Sequence, residues 1–229
     1  MPDAGLEAAG ASRGIGDGAH VFAATNHVKN PAGFEQPPES DDIALARANE
    51  YRLLASVLAN APSAEMLARM SNISGDATKL GRAHAALAEA AANTDTEIVA
   101  HEYFALFVGV GRGELLPYAS YYLTGFLQER PLAQVREDMA AIGLERTEGL
   151  SEPEDHIAIL CEIMAGMAAG AFDVDLPAQR RFFERHIKPW ASRFFADLET
   201  AASARFYRNV GSLGRLFLEI EAEGFAMLA

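Results

Sequence analysis

Phe206-Tyr207-Arg208-Asn209-Val210-Gly211-Ser212-Leu213-Gly214-Arg215-Leu216-Phe217-Leu218-Glu219-Ile220 is the stretch that decides the fold. Phe206, Val210, Leu213, Phe217 and Ile220 follow one another at intervals of 4, 3, 4 and 3. That rhythm lines one side of an α-helix, whereas a half-buried strand would alternate. It predicts a helix from about Ala202 to Glu223 with this seam against a core. The same rhythm extends upstream, with Ala44, Ala48, Tyr51, Ala55 and Leu58 in one element and Val99, Tyr103, Leu106, Phe107 and Val110 in another.

Punctuation divides the rest. Ser40-Asp41-Asp42 reads as an N-cap with a negative first turn, and Asn60-Ala61-Pro62 ends the helix it starts. Further helices are predicted from Ser63 to about Asn72, Asp76 to about Ala92, from a Thr94-Asp95 cap onward, and at about Pro131 to Ile142, Glu152 to Ala171, Leu176 to Ile187 and Pro189 to Thr200. Gly109 to Pro117 reads as a loop. Residues 1–40 differ: Met1 to Gly18 is rich in Gly and Ala, and Pro31, Pro37 and Pro38 interrupt the second half. They read as a mobile, low-complexity extension in which only Ala19 to Phe22 has the apolarity to dock. The expectation is an all-α protein, with residues 41–229 forming a single compact domain of eight or nine helices.

Composition narrows the function. Half of the 229 residues are apolar, enough for a sizeable core. With 32 acidic against 19 basic side chains the net charge is -13. Nucleic acid needs a basic footprint and an anionic membrane repels an acidic surface, so neutral or cationic partners are expected. The one cysteine, Cys161, sits in an apolar helical stretch and reads as a buried, inert thiol. No secretory pattern or membrane-length apolar run is visible, which predicts a cytoplasmic protein without membrane insertion.

Chemistry-bearing motifs are few. No G-x-S-x-G elbow occurs, and Gly109-Val110-Gly111-Arg112-Gly113 lacks the Gly-Lys-Ser/Thr ending of a phosphate loop. Glu152, Asp155 and His156 offer three ligand types within five residues, which leaves a metal-dependent hydrolase as an alternative, although no second pair completes a shell. A plain reading accounts for most of Ser151-Glu152-Pro153-Glu154-Asp155-His156: Ser151 and Glu154 form a capping box, Pro153 suits a first turn, and the acids suit the positive helix end. His156 is unexplained, as are the aromatics of Pro117-Tyr118-Ala119-Ser120-Tyr121-Tyr122, read as an exposed loop. Phe182, Phe183, Trp190, Phe194 and Phe195 read as core. A helical scaffold using the seam from Phe206 to Ile220 is a third alternative.

Four segments in order carry a resemblance: Leu106-Phe107-Val108-Gly109, Leu116 to Tyr122, Glu152 to His156, and Phe183 to Trp190 continuing through Phe194-Phe195 and Phe206-Tyr207-Arg208. Together they resemble the TorD/DmsD family of assembly chaperones for molybdenum-containing redox enzymes, over roughly residues 45 to 222. The resemblance implies a helical, non-enzymatic cytoplasmic protein. It would bind the twin-arginine signal peptide of an apo-molybdoenzyme until the molybdopterin cofactor is inserted. That cofactor belongs to the client, and none is expected on the chaperone itself. Clients of the dimethyl sulfoxide reductase, trimethylamine N-oxide reductase and formate dehydrogenase types are all compatible, as are monomer and homodimer. Peptide-binding residues carried over are Pro117, Tyr118, Ser120, Tyr122, Glu152, Pro153, Asp155 and His156. Tyr118 and Tyr122 depart from relatives with tryptophan there. His156, at an ordinary imidazole pKa near 6.5, would titrate close to cytoplasmic pH.

Overall fold

A computed structural model describes residues 22–24, 38–146 and 152–227. Among these residues the chain forms ten α-helices: α1 Pro38–Ala59, α2 Ala64–Met70, α3 Lys79–Ala92, α4 Thr96–Tyr103, α5 Ala119–Thr124, α6 Arg130–Ala141, α7 Ile157–Ala168, α8 Leu176–His186, α9 Ala191–Thr200 and α10 Phe206–Ala226. A π-helical turn, Phe104–Val108, continues α4. The all-α expectation holds, with one helix more than predicted, α5.

The centre is α7. Ile157, Leu160, Cys161, Met164 and Ala168 face one way and Ile159, Ile163 and Met167 another, and all are buried. A helix apolar on every side can only sit inside, so α1 packs along it while α10 crosses α3 and α9. Gly214 brings α9 and α10 together, since a Cβ there would lie 2.3 Å from the Phe195 ring. Phe182, Phe183, Trp190, Phe194 and Phe195 are core as expected, with the Trp190 indole N–H donating to the His186 carbonyl at 2.7 Å. Cys161 is fully buried, and burial pushes its thiol well up.

Several local expectations are corrected. Helix α1 begins at Pro38, so Ser40 lies inside its first turn rather than capping it. Helix α3 starts at Lys79 rather than Asp76, capped by Thr78, whose hydroxyl accepts from Gly81 N–H while Asp76 accepts from Thr78. The α10 seam holds from Phe206 to Phe217, but Ile220 is 48% exposed and Glu221 takes the inward position. Phe217, Glu221 and Phe225, in steps of four, are the buried positions at this end, so the inward face turns around the helix relative to the seam. Finally, Phe22–Ala24 pairs antiparallel with Leu144–Arg146 in a two-stranded ribbon, where no strand was expected. Of residues 1–37, only those three are described.

Two polar clusters tie the layers. Arg47 of α1 donates to both oxygens of Glu221 in α10 at 2.7 and 2.9 Å, and Tyr51 hydroxyl donates to Glu221 Oε2 at 2.8 Å. Gln179 of α8 accepts a further Arg47 bond at 3.2 Å. Glu102 of α4, also buried, accepts the backbone N–H groups of Arg205, Phe206 and Tyr207 at 2.8, 3.1 and 2.7 Å. Helix α10 has no side-chain cap of its own, so a carboxylate from another helix supplies it.

Candidate functional site

The two segments singled out in the sequence, 117–122 and 152–156, lie side by side. Tyr118 and His156 form an antiparallel β-bridge. Its hydrogen bonds run from Ile157 N–H to the Pro117 carbonyl at 2.9 Å and from Ala119 N–H to the Asp155 carbonyl at 3.0 Å. Asp155 Oδ2 then accepts the Ser120 N–H at 2.8 Å. A carboxylate at a free helix N–H is favourable, and here it anchors the first turn of α5 from across the bridge. Pro117 suits the position just before, because its carbonyl is used in the bridge while its missing N–H is not needed.

This geometry corrects the reading of both segments. The 117–122 stretch is the entry to a helix, not an exposed aromatic loop; Ser120 is fully buried, and Tyr118 and Tyr122 are half-buried. Helix α7 starts at Ile157, five residues later than predicted, and its N-cap is His156, whose Nδ1 accepts the Ala158 N–H at 3.1 Å. Ser151 lies outside the described residues. Glu154, its supposed capping-box partner, instead accepts from Arg136 at 2.9 Å. Glu152 to Asp155 form a turn ahead of the helix, because the bridge to Tyr118 holds His156 extended.

His156 does not titrate near neutrality. Burial drives its pKa down to about 4, against the opposing pull of Glu152 and Asp155. With Nδ1 accepting, the ring is the neutral Nε2–H form. Its edge meets the Tyr118 ring at 5.0 Å between centroids and 73° between planes. The Tyr118 hydroxyl donates to Glu152 Oε2 at 2.5 Å, and burial followed by that carboxylate raises the phenol pKa. Tyr122 packs between Trp190 and Phe194 and donates to Asp197 Oδ2 at 3.0 Å.

The carboxylates and imidazole suggested as metal ligands are therefore occupied in holding backbone and phenol groups. Among the described residues no three His, Cys, Asp or Glu side chains gather as a metal-binding group. Two buried polar atoms at this junction, Ser120 Oγ and Asp155 Oδ1, have no hydrogen-bond partner among the described residues.

What the junction presents to solvent is its neighbourhood. Helix α5 ends at Gly125 in the left-handed region, and Leu123, Phe126 and Leu127 around that turn are 45, 70 and 47% exposed. On the other side of α5 lies a cleft of about 380 Å³, lined in part by Arg112, Glu114, Tyr121, Tyr122, Arg193 and Asp197. Neither the apolar ledge nor Arg112 was nominated from the sequence; the run Leu123-Thr124-Gly125-Phe126-Leu127, apolar residues around a glycine, was the available signal.

Comparison with known proteins places these features in a family. Residues 74–196 match the model of the family described as nitrate reductase delta subunit, a span containing the whole junction. The TorD chaperone protein of Vibrio cholerae serotype O1 is 34% identical over 105 residues, 42% of this chain and 48% of the relative, so that alignment spans about half the relative's length. The TorD chaperone protein of Shewanella loihica is 27% identical over 213 residues, 85% of this chain and 98% of the relative. In structure, a chain described as a redox enzyme maturation protein from Archaeoglobus fulgidus superposes with a TM-score of 0.50 at 20% identity, covering 83% of this chain and 99% of that one. The helical fold and the ordered sequence match agree, and the chain belongs to the nitrate reductase delta subunit family, in the TorD-like branch the four sequence segments suggested.

Proposed function

We propose that the protein is a cytoplasmic maturation chaperone without catalytic turnover, binding the twin-arginine signal peptide of a molybdopterin-dependent oxidoreductase and holding it back until the cofactor is in place. The cofactor is the client's, of the dimethyl sulfoxide reductase, trimethylamine N-oxide reductase or formate dehydrogenase type. The carrying observation is the junction itself. Segments more than thirty residues apart are bridged at Tyr118 and His156, and the helix they anchor leaves Leu123, Phe126 and Leu127 open to solvent.

A signal peptide joins a cationic segment to an apolar one, and the two halves of this surface complement it. The apolar segment covers the ledge, which supplies most of the affinity at roughly 25 cal/mol per Å². The cationic segment meets a chain of net charge -13, with Glu152 and Pro153 part-exposed beside Tyr118. Pro117, Ser120, Asp155 and His156 are buried, and their part in peptide binding is to set the height and angle of α5. Among the described residues no helix is long and apolar enough to cross a membrane.

Isothermal titration with twin-arginine signal peptides from each of these three molybdoenzyme types tests the reading. Saturable binding is expected, and Phe126→Ser should weaken it by about 1.5–3 kcal/mol, tenfold or more, with thermal stability unchanged. Absence of binding by the unmodified protein to any of these peptides would refute the function.

A further inference from the structure

Gly109-Val110-Gly111-Arg112-Gly113 is not used by the peptide reading, yet it is built with care. The loop folds back on the π-helical turn through Gly109 N–H to Phe104 O at 2.7 Å, Glu114 N–H to Ala105 O at 3.1 Å and Leu115 N–H to Leu106 O at 2.8 Å. Gly109 has φ +62°, and a Cβ there would lie 2.0 Å from the Arg112 carbonyl oxygen. At Gly113 a Cβ would lie 2.5 Å from the Phe107 backbone. Only glycine fits at either place. The π-helical turn before it is a feature that recurs at functional sites. What this loop delivers is Arg112, at the mouth of the cleft.

The charges in the cleft fall into two groups. Its acids are engaged: Glu114 accepts the N–H groups of Ala202 and Ser203 at 2.6 and 3.1 Å, and Asp197 Oδ2 accepts the Tyr122 hydroxyl. Its cations are held more loosely. Arg112 donates to the Tyr121 hydroxyl at 2.9 Å and stacks over that ring at 5.4 Å, and among the described residues no carboxylate pairs with it. Arg193 lies over the Tyr122 ring at 5.9 Å and makes a long ion pair with Asp197, its Nε 4.0 Å from Oδ2, with its other nitrogens toward no described carboxylate. Two guanidinium groups held on aromatic faces, with spare donors, form a site for an oxyanion. The protein as a whole carries a net charge of -13, so a pair of arginines on one cleft stands against the overall balance.

We propose that the cleft is a carboxylate-recognition site, in which Arg112 and Arg193 grip an aspartate or glutamate of the polypeptide partner while Tyr121 and Tyr122 flank the adjoining residue. That the partner is a polypeptide rests on the chaperone reading above. The two guanidinium groups are balanced by Glu114 and Asp197 in the same lining, so the cleft admits a single carboxylate held by directed hydrogen bonds more readily than a polyphosphate, which the two acids would repel. The site is distinct from the apolar ledge, so the partner is read at two places: apolar on one side of α5, acidic on the other.

The test uses the whole protein and three probes: the peptide acetyl-Leu-Glu-Leu-amide, its acetyl-Leu-Gln-Leu-amide counterpart, and tripolyphosphate. The readout is the Nε–Hε signals of Arg112 and Arg193 in ¹⁵N NMR. The acidic peptide should shift both signals saturably, at least fivefold more tightly than the glutamine peptide, and Arg112→Gln or Arg193→Gln should each weaken it at least fivefold. No saturable shift, equal response to both peptides, or tighter binding of tripolyphosphate overturns the proposal. Both variants alter exposed side chains, and unchanged circular dichroism would exclude misfolding. A protein that answers the acidic peptide but binds no signal peptide refutes the chaperone function and keeps the cleft; the converse result refutes the cleft alone.

Discussion

Replacing Glu102 tests how the C-terminal helix is held. In the native fold both its carboxylate oxygens are used: Oε1 accepts from Arg205 and Tyr207 N–H at 2.8 and 2.7 Å, and Oε2 from Phe206 N–H at 3.1 Å. Glu102→Ala removes all three acceptors. The donors on Phe206 and Tyr207 are buried, so water replaces the carboxylate poorly, and each stranded N–H costs about 1–2 kcal/mol. The lost negative charge at a helix N-terminus adds about 0.5–1 kcal/mol. The expected total is about 3–4 kcal/mol, a large part of the 5–15 kcal/mol that typically holds a domain together. Glu102→Gln should cost much less. Turned so that its carbonyl replaces Oε1, it keeps two of the three bonds and sets an amide donor against Phe206 N–H, for a loss of about 1–2 kcal/mol.

Urea unfolding followed by circular dichroism measures both, read as a change in midpoint at constant slope. A cost below about 1 kcal/mol for Glu102→Ala would mean that α10 is capped by water and that the carboxylate is incidental. Equal costs for Ala and Gln would mean that charge, rather than acceptor geometry, is what matters.

Three further outcomes are expected. Glu221→Ala strands the part-buried Arg47 and the Tyr51 hydroxyl and should cost about 3–5 kcal/mol by denaturant unfolding, whereas the double change Arg47→Met with Glu221→Leu should recover most of it. His156, at about 4 when folded, binds its proton less readily than an unfolded imidazole near 6.5. Its contribution is therefore complete above about pH 6.5 and is lost as pH falls from there toward 4, at up to about 1.4 kcal/mol per unit. His156→Asn, which can still accept the Ala158 N–H but cannot titrate, should flatten that slope in unfolding experiments at pH 4.5, 5.5 and 7. His186 is also lowered by burial and keeps a share of the slope, while His84, raised by its bond to Glu50, opposes it. Cys161 should resist thiol-labelling reagents in the native protein and react fully in denaturant; labelling of the native fold on a minute timescale would contradict its burial.

How much of this was legible depends on the range of the forces involved. The α10 seam was readable because helical periodicity is local, and the helix starts at Ser63 and Asp95 because a side chain there caps its own helix within three residues. Ile220 and Glu221 were misassigned because an acid in the core is tolerable only if a partner is present, and Arg47 lies 174 positions away. The start of α7 was misplaced for the same reason. Locally, Ser151 to Asp155 makes a sound helix start, but the bridge to Tyr118 fixes His156 as extended and makes it the cap. Helix α5 was missed because, at six residues, it carries no sustained period; its first turn is stabilised by Asp155, from 35 positions on.

The junction also explains why family resemblance and binding surface need not coincide residue for residue. Pro117, Ser120, Asp155 and His156 carry the resemblance, and they are buried, joined to one another through backbone groups. Substituting any of them alters the placement of α5 as a whole, since Asp155 Oδ2 and the bridge carbonyls fix that helix at its entry. Leu123, Phe126, Leu127 and Arg112 carry none of the motif, yet they reach solvent on α5, the turn after it and the loop before it. An exposed side chain can change at little cost to stability, whereas a buried polar anchor cannot. The arrangement thus separates a fixed support from an adjustable surface. In the proposed chaperone, the buried motif sets where a partner docks, and the ledge and cleft on either side of α5 set which partner it is.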